Sequence, residues 1–157
     1  MSYIKYKNNN LFVENVSVKR LASKFSTPFY LYSESNIIEN YKSFSNNFKK
    51  SNPLICFSVK ANSNIQILKV LKKMGSGADV VSGGELLKAI KSGINPNKIV
   101  FSGVGKTEEE IRLAIKKKIL LINVESENEA LLINKIAGKF NKKINIGIRL
   151  NPDINAP

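Results

Sequence analysis

Histidine is absent from the 157 residues of this chain, and cysteine occurs only once, as Cys56. The lack of histidine excludes a histidine-based catalytic triad and a histidine-ligated zinc site within the chain, so we expect no metal centre. A single cysteine excludes an internal disulfide and fits a reducing compartment. We therefore expect a cytoplasmic protein in which Cys56 is a small buried apolar residue.

Long apolar runs are lacking as well. No run approaches the ~20 residues that cross a bilayer, and the polar start MSYIKYKNNN has no apolar core of a secretory signal. We therefore predict no membrane segment. The hydrophobic fraction of 43% is still enough for a sizeable core, either in a domain of its own or as part of a larger one.

Acidic residues are scarce: 12 Asp and Glu stand against 25 Lys and Arg, and the formal net charge is +13. Such a balance suggests a nucleic-acid partner. The lysines, however, are spread over most predicted helices, and LKKMG and IKKKIL place them at helix ends, where they complement the helix dipole. We therefore predict a solvated basic surface and no nucleic-acid partner, with a nucleic-acid-binding domain as an alternative.

Short apolar segments alternate with amphipathic ones along the chain. The predicted strands are FYLYS (29–33), LICFSVK (54–60), GADVV (77–81), KIVFS (98–102), ILLINV (119–124) and INIGIRL (144–150). The predicted helices cover 34–50, 64–74, 83–92, 107–118 and 126–139. This alternation is typical of parallel βαβ architecture and predicts an α/β fold.

Capping signals flank these helices. Four Ser/Thr-x-x-Glu/Gln sequences follow predicted strands and predict capping boxes that begin at Ser63, Ser82, Thr107 and Ser126. Three glycines predict helix ends: Gly75, Gly93 and Gly138.

The strands 54–60 and 144–150 each have one apolar face and one face of small or polar residues. We expect the apolar face to pack against helices through Ile55, Phe57, Ile146 and Ile148. The other face suits the interior of a barrel with room for a ligand, whereas strands of a doubly wound sheet are usually apolar on both faces. The pattern therefore predicts a partial (β/α)8 barrel, with five or six of its strands in this chain.

Polar side chains recur at the carboxyl ends of these strands, about one βα unit apart: Lys60, Asp79, Ser102, Asn123 and Arg149. Active sites of (β/α) barrels are built at this end of the strands, and open α/β sheets use the same end. We therefore expect Lys60, Asp79 and Arg149 to converge on the mouth of the partial barrel.

Lys60 has two interpretations. A lysine at a strand end can reach solvent with its ammonium group, or it can form a Schiff base, which burial or a nearby cation such as Arg149 favours. The acidic residues have plain alternatives too, because Asp79 can begin a turn and Glu85 can serve only as a capping residue. Arg149 can be a structural partner for an acid elsewhere in the barrel.

Two glycine-rich segments resemble phosphate-binding loops without matching them. In SGVGKT (102–107), the first glycine of the P-loop pattern falls on Val100. In GSGADV (75–80), Val80 replaces the last glycine of the dinucleotide-binding pattern, and the segment leads into a strand. We therefore predict no nucleotide site at either segment.

FSVKAN (57–62) resembles the Y-A-V-K-A-N segment of the fold-type III pyridoxal-phosphate enzymes, which include alanine racemase and the ornithine, arginine and diaminopimelate decarboxylases. Further segments are similar to the diaminopimelate decarboxylase branch of this family: STPFYLYS (26–33), GADVVSGGEL (77–86), IVFSGVGKT (99–107), INVESENE (122–129) and IGIRLNPDI (146–154). The resemblance covers almost the whole chain from Pro28 on. SGGEL and RLNPDI separate this branch from alanine racemase, and less well from other decarboxylases of the fold.

The resemblance implies roles for four residues. Lys60 matches the lysine that holds pyridoxal 5'-phosphate as an internal aldimine, and Asp79 matches the acid beside it in the cofactor pocket. Glu85 and Arg149 match polar residues that line the same pocket. The implied fold is a (β/α)8 barrel followed by a β-domain. Residues 1–25 are then expected to pack with that β-domain, and residues 26–157 to hold five barrel strands, preceded by the segment 29–33.

The implied activity is decarboxylation of meso-diaminopimelate to lysine and carbon dioxide by a homodimer. The remaining catalytic groups, including the histidine that stacks on the cofactor, the phosphate loop and the catalytic cysteine, would lie after Pro157. We therefore expect an amino-terminal part of the enzyme that is inactive by itself. The alternatives are another decarboxylase or a racemase of the same fold, or a non-catalytic homologue that binds the cofactor.

Overall fold

The computed structural model describes residues 3–152 and residue 154, and the chain forms two compact units, Met1–Asn52 and Pro53–Pro157. The first unit begins with an antiparallel sheet of three strands, β1 (Ile4–Lys7), β2 (Asn10–Val13) and β3 (Val16–Ser17). Two helices follow, α1 (Val18–Lys24) and α2 (Glu34–Asn46). The division into residues 1–25 and 26–157 stays a prediction.

The β1–β2 hairpin was not predicted from the sequence, although its turn has a physical signature. Asn8 and Asn9 form a two-residue connection with φ of 47° and 57°, and asparagine tolerates these left-handed angles better than most residues. The short helix α1 was missed as well. Ser17 begins it by accepting a hydrogen bond from the backbone N–H of Arg20.

The strand predicted over 29–33 is wrong. Within the described part of the chain this segment pairs with no strand, and Tyr30 is 90% exposed. Aromatic residues favour strands mainly because they pack on a half-buried pleated surface, and this segment does not provide one. The helix predicted over 34–50 is shorter, since α2 ends at Asn46.

The second unit is a repeated βα arrangement. Its strands are β4 (Cys56–Ser58), β5 (Gly77–Val80), β6 (Ile99–Phe101), β7 (Leu121–Val124) and β8 (Ile146–Ile148). Its α-helices are α3 (Ile65–Lys73), α4 (Gly83–Lys91), α5 (Glu108–Lys117) and α6 (Glu127–Lys139). All neighbouring strands are parallel, in the order β4-β5-β6-β7-β8. The predicted α/β fold, an incomplete (β/α) barrel with five strands, is confirmed.

The core lies between the sheet and the helices. Ala78, Ile99 and Ile122 are fully buried and come from three successive strands. Ala78 is paired in register with Ile99, and Ile122 is paired with Phe101, which lies two residues after Ile99 on the same face. All three side chains therefore point toward the helices. Phe57 packs against this core, as predicted. Ile146 and Ile148 lie on the same face but are 48% and 75% exposed, since no helix follows β8 in the described residues.

The helix ends confirm some of the capping predictions and correct others. Thr107 and Glu110 form a full capping box, whereas Ser82 and Ser126 cap their helices without the reciprocal acid contact. The box at Ser63 is wrong, because the carboxamide of Asn64 caps α3 instead. Two further outcomes concern glycines. Gly75 and Gly93 follow α3 and α4 with φ of +90°, and Gly138 lies within α6 rather than at its end.

Candidate active site

Lys60 lies in a single 3-10 turn, Val59–Ala61, that follows β4 directly. The strand predicted over 54–60 therefore ends earlier, at Ser58, and the Lys60 side chain is exposed rather than buried. Val59 is fully buried and anchors the turn, which contacts β5 and α4. Among the residues that the structure describes, no hydrogen bond or ion pair engages the Lys60 amine. The amine is thus accessible beside the strand that carries Asp79.

Asp79 lies on the inner face of β5, the face turned away from the helices, and is half-buried. Its Oδ1 accepts a hydrogen bond from Ser102 Oγ at 2.6 Å. Ser102 Oγ in turn accepts one from Asn123 Nδ2 at 3.0 Å. Three neighbouring strands therefore contribute to one chain of hydrogen bonds, and all three residues belong to the polar set at the strand ends that the sequence indicates.

Ser58 is the inner-face neighbour of Asp79 on β4. The two residues are paired in register, and the Ser58 hydroxyl is buried without a hydrogen-bond partner in the described part of the chain. A buried hydroxyl without a partner is costly, and most buried polar groups in proteins are hydrogen-bonded. The small face to which Ser58 belongs is visible in the sequence, but no sequence signal distinguishes Ser58 from its neighbours on that face.

Glu85 lies near the start of α4, and its carboxylate is bound to the backbone. Its Oε2 accepts a hydrogen bond from the N–H of Val81 at 2.9 Å, at the end of β5. No described hydrogen bond or ion pair joins Glu85 to Lys60, Asp79 or Arg149. The local geometry is that of a residue that holds the loop between β5 and α4.

Arg149 directly follows β8 and is joined to the loop after β7. Its Nη1 donates to Glu125 Oε1 at 3.2 Å, and its Nε donates to Asn151 Oδ1 at 3.2 Å. The same Glu125 oxygen accepts a hydrogen bond from the N–H of Gly103 at 3.0 Å. Arg149 therefore lies at the carboxyl end of its strand, as Asp79 does, but its hydrogen bonds reach none of the other predicted site residues.

Lys106 is a structural cation that no sequence pattern indicates. Its Nζ donates to the carbonyls of Gly103 at 2.6 Å and Asn123 at 2.7 Å, and to Glu129 Oε1 at 2.9 Å. The lysine in the P-loop-like segment thus ties the loop after β6 to β7 and α6. Its donors are all engaged within the protein, which explains the lysine without a nucleotide.

Cys56 also lies on the inner face and is half-buried. Burial raises the pKa of its thiol, the nearby Asp79 carboxylate raises it further, and Lys98 lowers it. The thiol therefore stays protonated near neutral pH, and it lies 3.7 Å from the carbonyl of Lys98. The prediction of a small, apolar-like residue agrees with this environment, although the side chain is only partly buried.

The donor set suits a carbonyl ligand with polar substituents. The mouth offers an accessible primary amine at Lys60, a carboxylate at Asp79 with its Oδ1 already engaged, and the orphan hydroxyl of Ser58. An amine of this kind can condense with an aldehyde.

In the described residues, no group of three or more Cys, Asp or Glu side chains could hold a metal ion, and no helix is long and apolar enough to cross a membrane.

Sequence comparison with known proteins gives consistent matches. The family model described as pyridoxal-dependent decarboxylase, pyridoxal binding domain, matches residues 34–157. The diaminopimelate decarboxylase of Aquifex aeolicus is 48% identical over 98% of this chain, which is 36% of that protein. The diaminopimelate decarboxylase of Haemophilus influenzae is 43% identical over 99% of this chain and 38% of its own length.

Structure comparison gives the same picture. The AQ1208 protein of Aquifex aeolicus superposes with a TM-score of 0.91 at 48% identity, covering 96% of this chain and 37% of that one. A diaminopimelate decarboxylase of M. jannaschii in complex with L-lysine has a TM-score of 0.92 at 39% identity, covering 97% of this chain and 36% of the other. The chain therefore spans somewhat more than a third of the length of the relatives it matches.

Proposed function

Because the chain belongs to the pyridoxal-dependent decarboxylase family and carries its pyridoxal-binding domain, we propose that it is the amino-terminal, cofactor-holding part of a diaminopimelate decarboxylase. The complete enzyme removes one carboxylate from meso-diaminopimelate and releases lysine and carbon dioxide. The proposal has support from the names of the relatives and from the lysine complex of the M. jannaschii enzyme.

The observation that carries the proposal is the placement of Lys60. Its amine is accessible and unengaged in the described structure, and the turn that holds it is fixed by buried Val59 against β5 and α4. Lys60 would hold pyridoxal 5'-phosphate through this amine. The cofactor, when bound, supplies the electron sink for loss of the carboxylate.

The other predicted residues would shape the pocket around the cofactor. Asp79 offers a carboxylate with Oδ1 fixed by Ser102. Glu85 would act on the pocket through the backbone of Val81, which it binds. Arg149 would contribute a guanidinium that Glu125 orients. The complete enzyme would be a cytoplasmic homodimer, and residues 1–25 would pack with a β-domain in the remainder of the protein.

The test is an assay of the complete protein reconstituted with pyridoxal phosphate. Carboxyl-labelled meso-diaminopimelate is expected to release labelled carbon dioxide, and Lys60→Ala is expected to abolish the release. Lys69→Ala is the matched control, because Lys69 is an exposed lysine of α3. Release from ornithine or arginine but not from diaminopimelate would favour another decarboxylase of the fold. Cofactor uptake without turnover of any amino acid would favour a non-catalytic homologue.

A further inference from the structure

The hydrogen-bond chain on the inner face has a fixed direction. The Asn123 amide nitrogen can only donate, so Ser102 Oγ accepts from it at 3.0 Å. The single hydroxyl proton of Ser102 is then directed at Asp79 Oδ1, 2.6 Å away. A hydroxyl–carboxylate contact of this length is typical of a charge-assisted hydrogen bond, one of the stronger kinds in proteins.

The hydrogen-bond chain begins at Asn123, whose side chain lies over a glycine of the neighbouring strand. Asn123 and Gly147 are paired in register on β7 and β8. A Cβ at position 147 would overlap Asn123 Oδ1, so only glycine leaves room for the Asn123 side chain in this orientation. At the next strand, the backbone N–H of Ser102 donates to the carbonyl of Val80 at 2.8 Å. The Asn123 side chain thus occupies space that glycine leaves open, and the backbone that carries the Ser102 hydroxyl is anchored to β5 beside Asp79.

The hydrogen bonds among these three residues leave one oxygen of the Asp79 carboxylate available to a ligand. Asp79 Oδ1 is engaged by Ser102, and in the described part of the protein no hydrogen bond reaches Oδ2. We propose that Ser102 and Asn123 are positioning residues that fix the orientation of the Asp79 carboxylate, with Oδ2 presented to the cofactor that Lys60 holds. This inference rests on the proposed function. Neither residue touches the reacting atoms, and both act through Asp79.

The experiment separates positioning from a purely structural role. Ser102→Ala and Ser102→Thr are made in the complete protein, with Ser76→Ala as the matched control. Ser76 is a buried serine at the opposite end of β5, and its hydroxyl lies within hydrogen-bonding distance of the carbonyls of Gly77, at 2.8 Å, and Ile55, at 3.2 Å. The readouts are the apparent Kd for pyridoxal phosphate, the pH midpoint of the absorbance band of the lysine-bound cofactor, and Tm.

Ser102→Ala is expected to weaken cofactor binding roughly tenfold, the effect of losing one hydrogen bond to a charged group, and to move the pH midpoint. Ser102→Thr keeps the hydroxyl and is expected to stay within about twofold of the wild type by the same argument. Ser76→Ala is expected to lower Tm without changing either cofactor readout. In an Asp79→Asn background, Ser102→Ala is expected to add no further effect, because the residue acts through Asp79.

A readout without cofactor completes the test. The side-chain amide signals of Asn123 in a ¹H–¹⁵N spectrum are expected to move in Ser102→Ala and to stay in place in Ser76→Ala. Cofactor readouts for Ser102→Ala that match those for Ser76→Ala would overturn the inference alone, and so would unmoved Asn123 signals. A wild-type protein that takes up no cofactor would instead overturn the proposed function, while the Asn123 signals would still report on the hydrogen-bond chain.

Discussion

The ammonium group of Lys106 lies almost fully out of water, since 1% of its side chain is exposed. The cost of removing this charge from water is offset by Glu129, whose side chain is 10% exposed, and by two backbone carbonyls. Removal of one member of a buried pair leaves the other charge uncompensated, which typically costs about 3–5 kcal/mol. The pair is therefore sensitive to loss of either partner.

The substitution Lys106→Met tests this. It keeps the length of the side chain, removes the charge and leaves the Glu129 carboxylate unpaired, so we expect the free energy of unfolding to fall by about 3–5 kcal/mol. The measurement is urea denaturation of the complete protein. Lys69→Met at an exposed position of α3 serves as the control and is expected to change stability by less than about 0.5 kcal/mol. Equal effects of the two substitutions would contradict a structural role of Lys106.

Alanine substitutions at Gly77 and Gly138 are expected to change the stability of the protein in opposite directions. A Cβ at Gly77 would overlap the carbonyl of Lys98 and press on Cys56 Sγ, so Gly77→Ala is expected to destabilise the protein by about 1–3 kcal/mol. Gly138 lies within α6, and a Cβ there meets nothing within 4 Å. Gly138→Ala is therefore expected to stabilise the protein by roughly 0.5–1 kcal/mol. Thermal unfolding of both variants measures the signs, and a destabilising Gly138→Ala would contradict this account of α6.

At the level of single residues, the sequence indicated which polar side chains lie at the strand ends more reliably than it indicated their hydrogen-bond partners. Lys60, Asp79, Ser102, Asn123 and Arg149 were recognised as the polar set at the strand ends. The partners of Lys106 were not recognised, because the Asn123 carbonyl and Glu129 lie 17 and 23 residues further along the chain. Such contacts depend on the packing of one βα unit against the next, which local patterns do not describe.

At the scale of elements, one carboxylate caps two helices. Glu110 Oε2 accepts from the N–H of Thr107 at 3.0 Å, at the start of α5. Glu110 Oε1 accepts from the N–H of Gly83 at 2.7 Å, at the start of α4. The hydrogen bond from Gly83, followed by that from Thr107, lowers the pKa of Glu110 below its usual value. The two helix starts are therefore coupled through one ionised group.

The coupling predicts a pH-dependent stability. Because the pKa of Glu110 is lower in the folded state, its contribution is present above the unfolded pKa of about 4.3 and is lost as the pH falls through the folded pKa. At pH 7, Glu110→Gln is expected to cost about 1 kcal/mol and to speed hydrogen exchange at the Gly83 amide. Glu109→Gln, in the same turn and exposed, is expected to leave that amide unchanged. Persistence of the full difference at pH 3 would contradict an ionic contribution.

Element types were predicted more reliably than their ends. The four helices and four strands that follow β4 in the described residues were each placed within a few residues, since apolar periodicity and caps mark them. The ends of β4 and the nature of 29–33 could not be read from the sequence, because strand pairing depends on a neighbour that local sequence does not specify. The early end of β4 matters most for the candidate site, because it places Lys60 in a turn where its amine is exposed.

At the scale of the whole molecule, the resemblance carried more information than the patterns did. Alternation and strand faces predicted an incomplete barrel, and the five parallel strands confirm it. The resemblance to the diaminopimelate decarboxylases is confirmed by relatives at up to 48% identity. Residue patterns alone indicated the edge of the sheet at which a site would form. They did not identify a cofactor, because binding an aldehyde requires no regular spacing of residues along the sequence.

The 157-residue chain by itself is expected to lack decarboxylase activity. In the described residues the parallel sheet ends at β4 on one side and β8 on the other, and unpaired strand edges invite aggregation. Residues that act as a unit lose most of the rate when several of them are missing. The measurement is labelled carbon dioxide release from carboxyl-labelled diaminopimelate by the purified chain, compared with free pyridoxal phosphate. Turnover clearly above the free-cofactor background would contradict the expectation that residues beyond this chain complete the site.

Lys60 is proposed to hold the cofactor, and chemical mapping of the modified lysine is the measurement that bears on this role without an intermediate step. The complete protein is reconstituted with pyridoxal phosphate, reduced with borohydride, digested and mapped by mass spectrometry. We expect a phosphopyridoxyl group on the peptide that contains Phe57–Asn62, attached to Lys60, and none in Lys60→Ala. A stoichiometric adduct on another lysine, or an undiminished adduct in Lys60→Ala, would contradict it.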